Sequence, residues 1–282
     1  MRHRWGLVGA MVVVAVGFAL GSPVPAAADL LQEVLGRGTV RVGLRTANVP
    51  FGFFDKKGNH IGFDVDISQA IIRRLSKKFK RPLRMEKVPV DAKTRIAFII
   101  ARKIDMAAAT MTHTRSRDEN IDFTITYFFD GQRMLARKGE FKSLKEFVGH
   151  KISTVQGTTS EQNVEKLFRD LGDPNPRILS FQQHPEAFMA LKQGKVDGYT
   201  TDSTILLGTA RGDPGVELVG EFFSDEPYGI GLPENESNWR DELNFALQDI
   251  LRDGTYKTIY NRWFGPKTLF HMPLTRKLET WP

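Results

Sequence analysis

Cysteine is absent from all 282 residues, which excludes disulfides, thiolate metal sites, cysteine nucleophiles and attachment of a lipid to an N-terminal cysteine. Histidine is scarce. His3, His60, His113, His150, His184 and His271 are scattered without metal-ligand spacing. No phosphate-cradling glycine motif and no Gly-x-Ser-x-Gly nucleophile turn occurs. Beyond residue 28 no apolar run is long enough to span a bilayer, which takes about 20 residues. An excess of one charge is also nearly missing: 40 Lys and Arg stand against 33 Asp and Glu, a formal charge of +7. With no aromatic-plus-basic nucleic-acid motif, this mild excess reads as a solvated basic surface.

The N-terminus is different in kind. Arg2 and Arg4 precede an unbroken apolar or glycine run from Leu7 to Leu20, followed by Pro23, Pro25 and Ala26, Ala27 and Ala28. This pattern predicts a secretory signal peptide over residues 1–28, cut after Ala28; the run is too short for a membrane anchor. An exported chain with no lipid tether is retained only by an outer membrane, so the expected compartment is the periplasm. The mature chain beyond the cut is long enough for one large domain or two modest ones with real cores.

The segment from Thr39 to Leu44 alternates, with Val40, Val42 and Leu44 on one face, and reads as a first strand ending at Arg45. After a Gly58-Asn59 turn, Ile61 to Asp66 leads into a helix with Ile67, Ala70, Ile71 and Leu75 at helical spacing. Asp91 reads as the N-cap of a second helix, after which Lys103-Ile104-Asp105 opens a strand from Met106 to Thr110. The phrase returns as Gly194-Lys195-Val196-Asp197 before a strand from Gly198, which suggests two similarly built lobes. Gln132 to Arg137 reads as a strand leaving the first lobe, Lys151 to Val155 as the first strand of the second, and Glu226 to Leu232 as the return. Two crossings make a hinge. The expected organisation is therefore α/β, with a signal over 1–28, a first lobe over 29–132, a second over 133–226, and a return to the first, with a tail, over 227–282.

Five stretches together resemble the polar amino-acid-binding proteins of bacterial ATP-driven importers, family 3 of the periplasmic solute-binding proteins. They are Ile61-Gly62-Phe63-Asp64-Val65-Asp66-Ile67, Thr110 and Thr112 followed by Arg117 and Phe123-Thr124, Gln156-Gly157-Thr158-Thr159-Ser160, Gly194 to Asp197, and Asp253-Gly254-Thr255-Tyr256 with Trp263-Phe264-Gly265. Arg45, Asn48 to Phe51, Thr94-Arg95 and His184 fall where the glutamate/aspartate-binding branch places its ligand-binding cations and their neighbours. Ala92 and Val155 depart from that branch, which has hydroxyls there. The resemblance implies a two-lobed fold that shuts on its ligand, with permease and ATPase subunits in and behind the inner membrane, and no cofactor.

It also implies roles. Arg117 would clamp the α-carboxylate, as a planar guanidinium suits bidentate binding. Thr110 and Thr112 would add hydroxyl or backbone contacts, and Thr158 would donate from the other lobe, besides capping the next helix with Glu161 or Gln162. Asp202 would pair with the ammonium. Arg45, Arg95 and His184 would converge on an acidic side chain, and Phe51 would wall its aliphatic part or pack in the core. A rival reading is an enzyme on the same scaffold, such as a cyclohexadienyl-type dehydratase, which needs a positioned general acid. The nearest carboxylates, Asp64 and Asp66, read instead as groups favoured at the start of a helix. The expectation is a monomeric binding protein with no catalytic or metal-ligating residue.

Overall fold

The computed structural model describes residues 29–274 and 276–278, so the signal-peptide expectation lies outside the described residues. Two five-stranded sheets are built to one plan. In the first, Thr39–Leu44 runs parallel to Arg84–Pro89 on one side and Met106–Ala107 on the other; Gly231–Leu232 then pairs antiparallel with Met106–Ala107, and Asp122–Phe123 closes the edge. In the second, Lys151–Val155 lies between Arg177–Phe181 and Gly198–Asp202 in parallel, followed by antiparallel Gln132–Arg137 and Val216–Val219.

Parallel neighbours require crossover helices. Phe63–Phe79 and Arg95–Ile100 serve the first sheet, Thr159–Asp170 and His184–Lys192 the second. The apolar stripe of Phe63–Phe79, including Ile67, Ala70, Ile71 and Leu75, is buried against the first sheet together with Ser237–Arg252 and Thr255–Phe264. Each large aliphatic side chain buried in this way contributes roughly 1.5–3 kcal/mol. Gly254, at φ 82°, separates those last two helices by a left-handed turn that glycine makes without steric cost.

The repeated phrase has a physical counterpart. Asp105 donates its N–H to the Arg41 carbonyl at 2.8 Å and accepts from the Arg41 N–H at 2.7 Å. Asp197 does the same with Lys151, at 2.7 and 3.0 Å. Each aspartate thus ties the start of its own strand to the neighbouring parallel strand of its sheet.

Between the sheets the chain crosses twice, and the crossing segments Phe128–Asp130 and Glu226–Tyr228 pair as an antiparallel ribbon. Gln132–Arg137, expected to leave the first lobe, lies wholly within the second sheet. The strand expected over Met106 to Thr110 is shorter, ending at Ala107. Thr110 adopts φ 48°, which non-glycine residues rarely do, and the carbonyls of Ala109 and Thr110 turn to Arg95 instead of extending the ladder.

Candidate functional site

Open α/β sheets bind ligands beyond the carboxyl ends of their strands, and the predicted residues sit there on both sheets. Arg45 follows the strand ending at Leu44, Thr110 and Thr112 follow Ala107, Thr158 follows Val155, His184 opens the helix after Phe181, and Asp202 ends its own strand. A narrow cleft between the sheets is lined by seven of the nine predicted residues, namely Arg45, Arg95, Thr110, Thr112, Thr158, His184 and Asp202, together with Thr159, Thr201 and Ile205. Arg117 lines an adjoining outer cavity that shares Thr112, Thr158 and Thr159. A separate, more apolar groove lies beside the crossing ribbon and residues 271–274, and none of the predicted residues lines it.

Phe51 does not line the cavity. Its ring is fully buried among Phe63, Phe128, Tyr228 and Phe264, with centroids 5.1–6.1 Å away; of its two expected uses, core packing is the one its surroundings provide.

The cations are held differently. Arg95 is 2 % exposed and donates through Nη1 to the carbonyls of Ala109 and Thr110 and through Nη2 to Gly157 across the cleft at 3.4 Å. Burial, then Arg117 and Arg45, pull its pKa well down. Arg45, 1 % exposed, has no hydrogen-bond partner for Nε or Nη2 among the described residues. Burial draws its pKa down to about 10, against the opposing pull of Asp91 and Tyr199. Arg117 donates to Thr112 O at 2.7 Å and to Gly157 O at 3.3 Å.

His184 is fully buried, and desolvation followed by Arg45 and Arg95 drives its pKa far down, so the ring is neutral. Its Nδ1 lies 2.7 Å from the Tyr199 hydroxyl. Asp202 accepts from the Tyr228 hydroxyl; burial, then Glu226 and Asp130, push its pKa well up. Such a carboxylate is electrostatically short of a cation.

Thr158 is the N-cap of Thr159–Asp170 by position, but its hydroxyl donates back to Val155 O at 2.7 Å and makes no capping bond. Asp91 is not the N-cap it was expected to be: that position falls to Thr94, and Asp91 accepts from Thr94 N at 2.7 Å in the turn before the helix starts at Arg95. Asp64 is not a cap. The helix begins at Phe63 after Gly62, and Asp64 is fully buried behind the cleft, accepting from Tyr127 Oη at 2.8 Å and Thr110 N at 3.2 Å. Asp66 pairs with Arg262 and Trp263.

Desolvation raises the Asp64 pKa to about 7, only partly opposed by Tyr127, Thr110, Arg95 and Arg45. A carboxyl whose folded pKa lies above its unfolded one stabilises the fold fully below the unfolded value near 3.8 and ceases to as pH climbs to about 7. His184 has the opposite sign, because stability falls as pH drops below its unfolded value of 6.5. Both proteins in a comparison with Asp64→Asn carry His184, so its contribution cancels. Relative to that variant, ligand-free wild type should lose a few kcal/mol of stability between pH 4 and 7, at about 1.4 kcal/mol per pKa unit. Melting temperatures across that window measure it, and a flat difference would remove Asp64 from the titrating groups.

Sequence reasoning missed Thr159, Thr201 and Ile205 in the cavity wall, and Glu226 just behind it. Among the described residues no cluster of His, Asp or Glu is arranged to hold a metal ion, and no helix is long and apolar enough to cross a membrane.

Two similarly wound sheets, a double crossing and a buried charged cleft at the strand ends define a two-lobed binding protein for a small polar molecule. The chain belongs to the bacterial extracellular solute-binding proteins, family 3, whose pattern it matches over residues 40–266. It is 35 % identical to the ABC transporter glutamine-binding protein GlnH of Bacillus subtilis, over 83 % of this chain and 84 % of that one. It is 27 % identical to the glutamate/aspartate import solute-binding protein of Escherichia coli, over 85 % and 81 %. Among solved structures it is similar to an ancestral arginine-binding protein bound to arginine, with a TM-score of 0.74 at 39 % identity, covering 81 % of this chain and 99 % of that one. The chain is thus an amino-acid-binding component of an ABC importer.

Proposed function

We propose that this chain is the periplasmic receptor of an acidic amino-acid importer, binding glutamate or aspartate and passing it, as a monomer, to permease subunits in the inner membrane. The observation that carries this reading is the charge of the cavity wall. Two fully buried arginines face one carboxylate, and one of those arginines has two nitrogens without a partner among the described residues. The ligand's α-carboxylate goes to Arg117 and to the free N–H groups at the start of Thr159–Asp170, which attract anions. Its ammonium goes to Asp202, and its side-chain carboxylate to Arg45, Arg95 and the ring of His184. Lobe boundaries near 132 and 226, with the paired crossing strands as hinge, let the cleft close over it.

Glutamine, the ligand named for the Bacillus relative, would leave two desolvated guanidinium groups uncompensated, and arginine would add a third; either mismatch penalises binding. A dehydratase needs a general acid that is free to reach its substrate, whereas Asp64 is hydrogen-bonded behind the wall and Glu226 is saturated by donors.

Residues 29–282, unfolded and refolded to strip bound ligand, should bind glutamate and aspartate tightly in calorimetric titrations, and glutamine and arginine far more weakly. Arg117→Ala should abolish binding and Arg95→Ala weaken it by tens-fold or more, at about 1.5–3 kcal/mol per charge-assisted hydrogen bond. Tight binding of only neutral or basic amino acids would overturn the roles given to Arg45, Arg95 and His184. No amino-acid binding at all would return the enzyme reading.

A further inference from the structure

Glu226 stands on the returning strand of the hinge ribbon, 1 % exposed. It gathers four hydrogen bonds from three parts of the molecule. Oε2 accepts from Thr112 Oγ1 at 2.5 Å and from Thr159 Oγ1 at 2.8 Å; Oε1 accepts from Ser224 Oγ at 2.7 Å and Asn163 Nδ2 at 3.0 Å. Thr112 comes from beyond the first sheet and Thr159 opens a helix of the second, and both line the ligand cavity.

A threonine hydroxyl has one proton and two acceptor lone pairs. An ionised carboxylate only accepts, so each hydroxyl that meets Glu226 must spend its proton there. Thr112 Oγ1 then keeps both lone pairs. Thr159 Oγ1 keeps one, because Gln132 Nε2 donates to the other at 3.0 Å. Beside them stands Asp202, also acceptor-only when ionised.

We propose that Glu226 is a positioning residue that sets the proton polarity of the ammonium end of the cleft. By taking the protons of Thr112 and Thr159 it makes both oxygens acceptors toward the cavity, so that with Asp202 they receive the N–H donors of an α-ammonium and turn away a carboxylate or carbonyl at that end. Every amino acid carries this ammonium, so the inference rests on the ligand being an amino acid and not on which side chain it has.

In Glu226→Gln the shape is kept, but one acceptor oxygen becomes a donor. An amide N–H facing Thr112 forces that hydroxyl to receive, and its own proton then points at the ligand's ammonium. The test is a double-mutant cycle by calorimetry on the refolded 29–282 chain, using whichever of glutamate, aspartate, glutamine or arginine binds the wild type most tightly. Glu226→Gln and Thr112→Val should each weaken binding by about tenfold or more, the loss of one charge-assisted hydrogen bond. Adding Thr112→Val to Glu226→Gln should cost nothing further, because the hydroxyl it removes is already turned the wrong way. Fully additive losses would overturn the inference while leaving the acidic-ligand reading intact; binding of glutamine in place of glutamate would do the reverse. Should Glu226→Gln not refold, Thr112→Ser against Thr112→Val decides. The serine should stay within about threefold of wild type and the valine lose about tenfold, and a valine variant as tight as the serine one overturns the inference.

Discussion

Arg45→Met should make the ligand-free protein more stable and nearly blind to acidic ligands. The guanidinium is out of contact with water, two of its nitrogens lack partners among the described residues, and its pKa is drawn down to about 10 by that burial. An unsatisfied buried polar group costs about 1–3 kcal/mol, more when charged, and methionine fills a similar volume in an irregular space without that penalty. For a chain of this size each kcal/mol gained raises the melting temperature by roughly 2–4 °C, so a gain of several degrees is expected. The same change removes two charge-assisted donors from the side-chain end of the cleft, and acidic-ligand affinity should fall by a hundredfold or more at about 1.5–3 kcal/mol each. Glutamine binding should suffer far less, since only the acidic ligand depended on the charge. A lower melting temperature with glutamate binding retained would mean that Arg45 is a structural ion and not a selectivity group.

That an unpartnered cation was waiting at this position could be read from the sequence only as far as its place at the end of the first strand. Alternation from Thr39 to Leu44 gives the strand, and the end of a parallel strand is where such folds bind. Thr110, Asp202 and His184 were reached through the family resemblance and not through strand patterns. The matched aspartates Asp105 and Asp197 exposed the doubling of the fold because each performs the same backbone tie, which a short local phrase encodes.

Local patterns could not reach roles fixed by partners far along the chain. Asp64 looks like an acid favoured at a helix start, yet its oxygens are claimed by Thr110 and Tyr127, 46 and 63 positions away. Glu226 is silent in its own neighbourhood and acquires meaning only where Thr112 and Thr159 converge on it. Phe51 shows the converse: a phenylalanine beside a binding segment carries no sign of whether it faces ligand or core, and its neighbours in space are core.

The stripe of contact between the lobes offers the second large effect. Gly208, inside the helix Ser203–Ala210, lies so close to the loop after Ala47–Asn48 that an added Cβ would stand 1.9 Å from Val49 O and 2.6 Å from its carbon. Neither backbone can yield as a flexible side chain would. Within its own helix, however, Gly208→Ala is favourable, as alanine exceeds glycine by about 1 kcal/mol in helix interiors. The second lobe should therefore keep or gain stability while the closed cleft is wedged apart, at the roughly 1–3 kcal/mol typical of overpacking, which weakens every ligand tens-fold regardless of its charge. Gly157 also meets backbone across the cleft, 2.8 Å from Ala92 O, but at φ 74° it would strain in the open form as well and so confounds closure with folding. Calorimetry with the preferred amino acid, paired with small-angle scattering with and without it, reads the outcome. Uniformly weaker binding and a smaller ligand-induced compaction are expected of Gly208→Ala. Binding within about threefold of wild type, with full compaction, would show that the ligand is held without this contact between the helix and Val49.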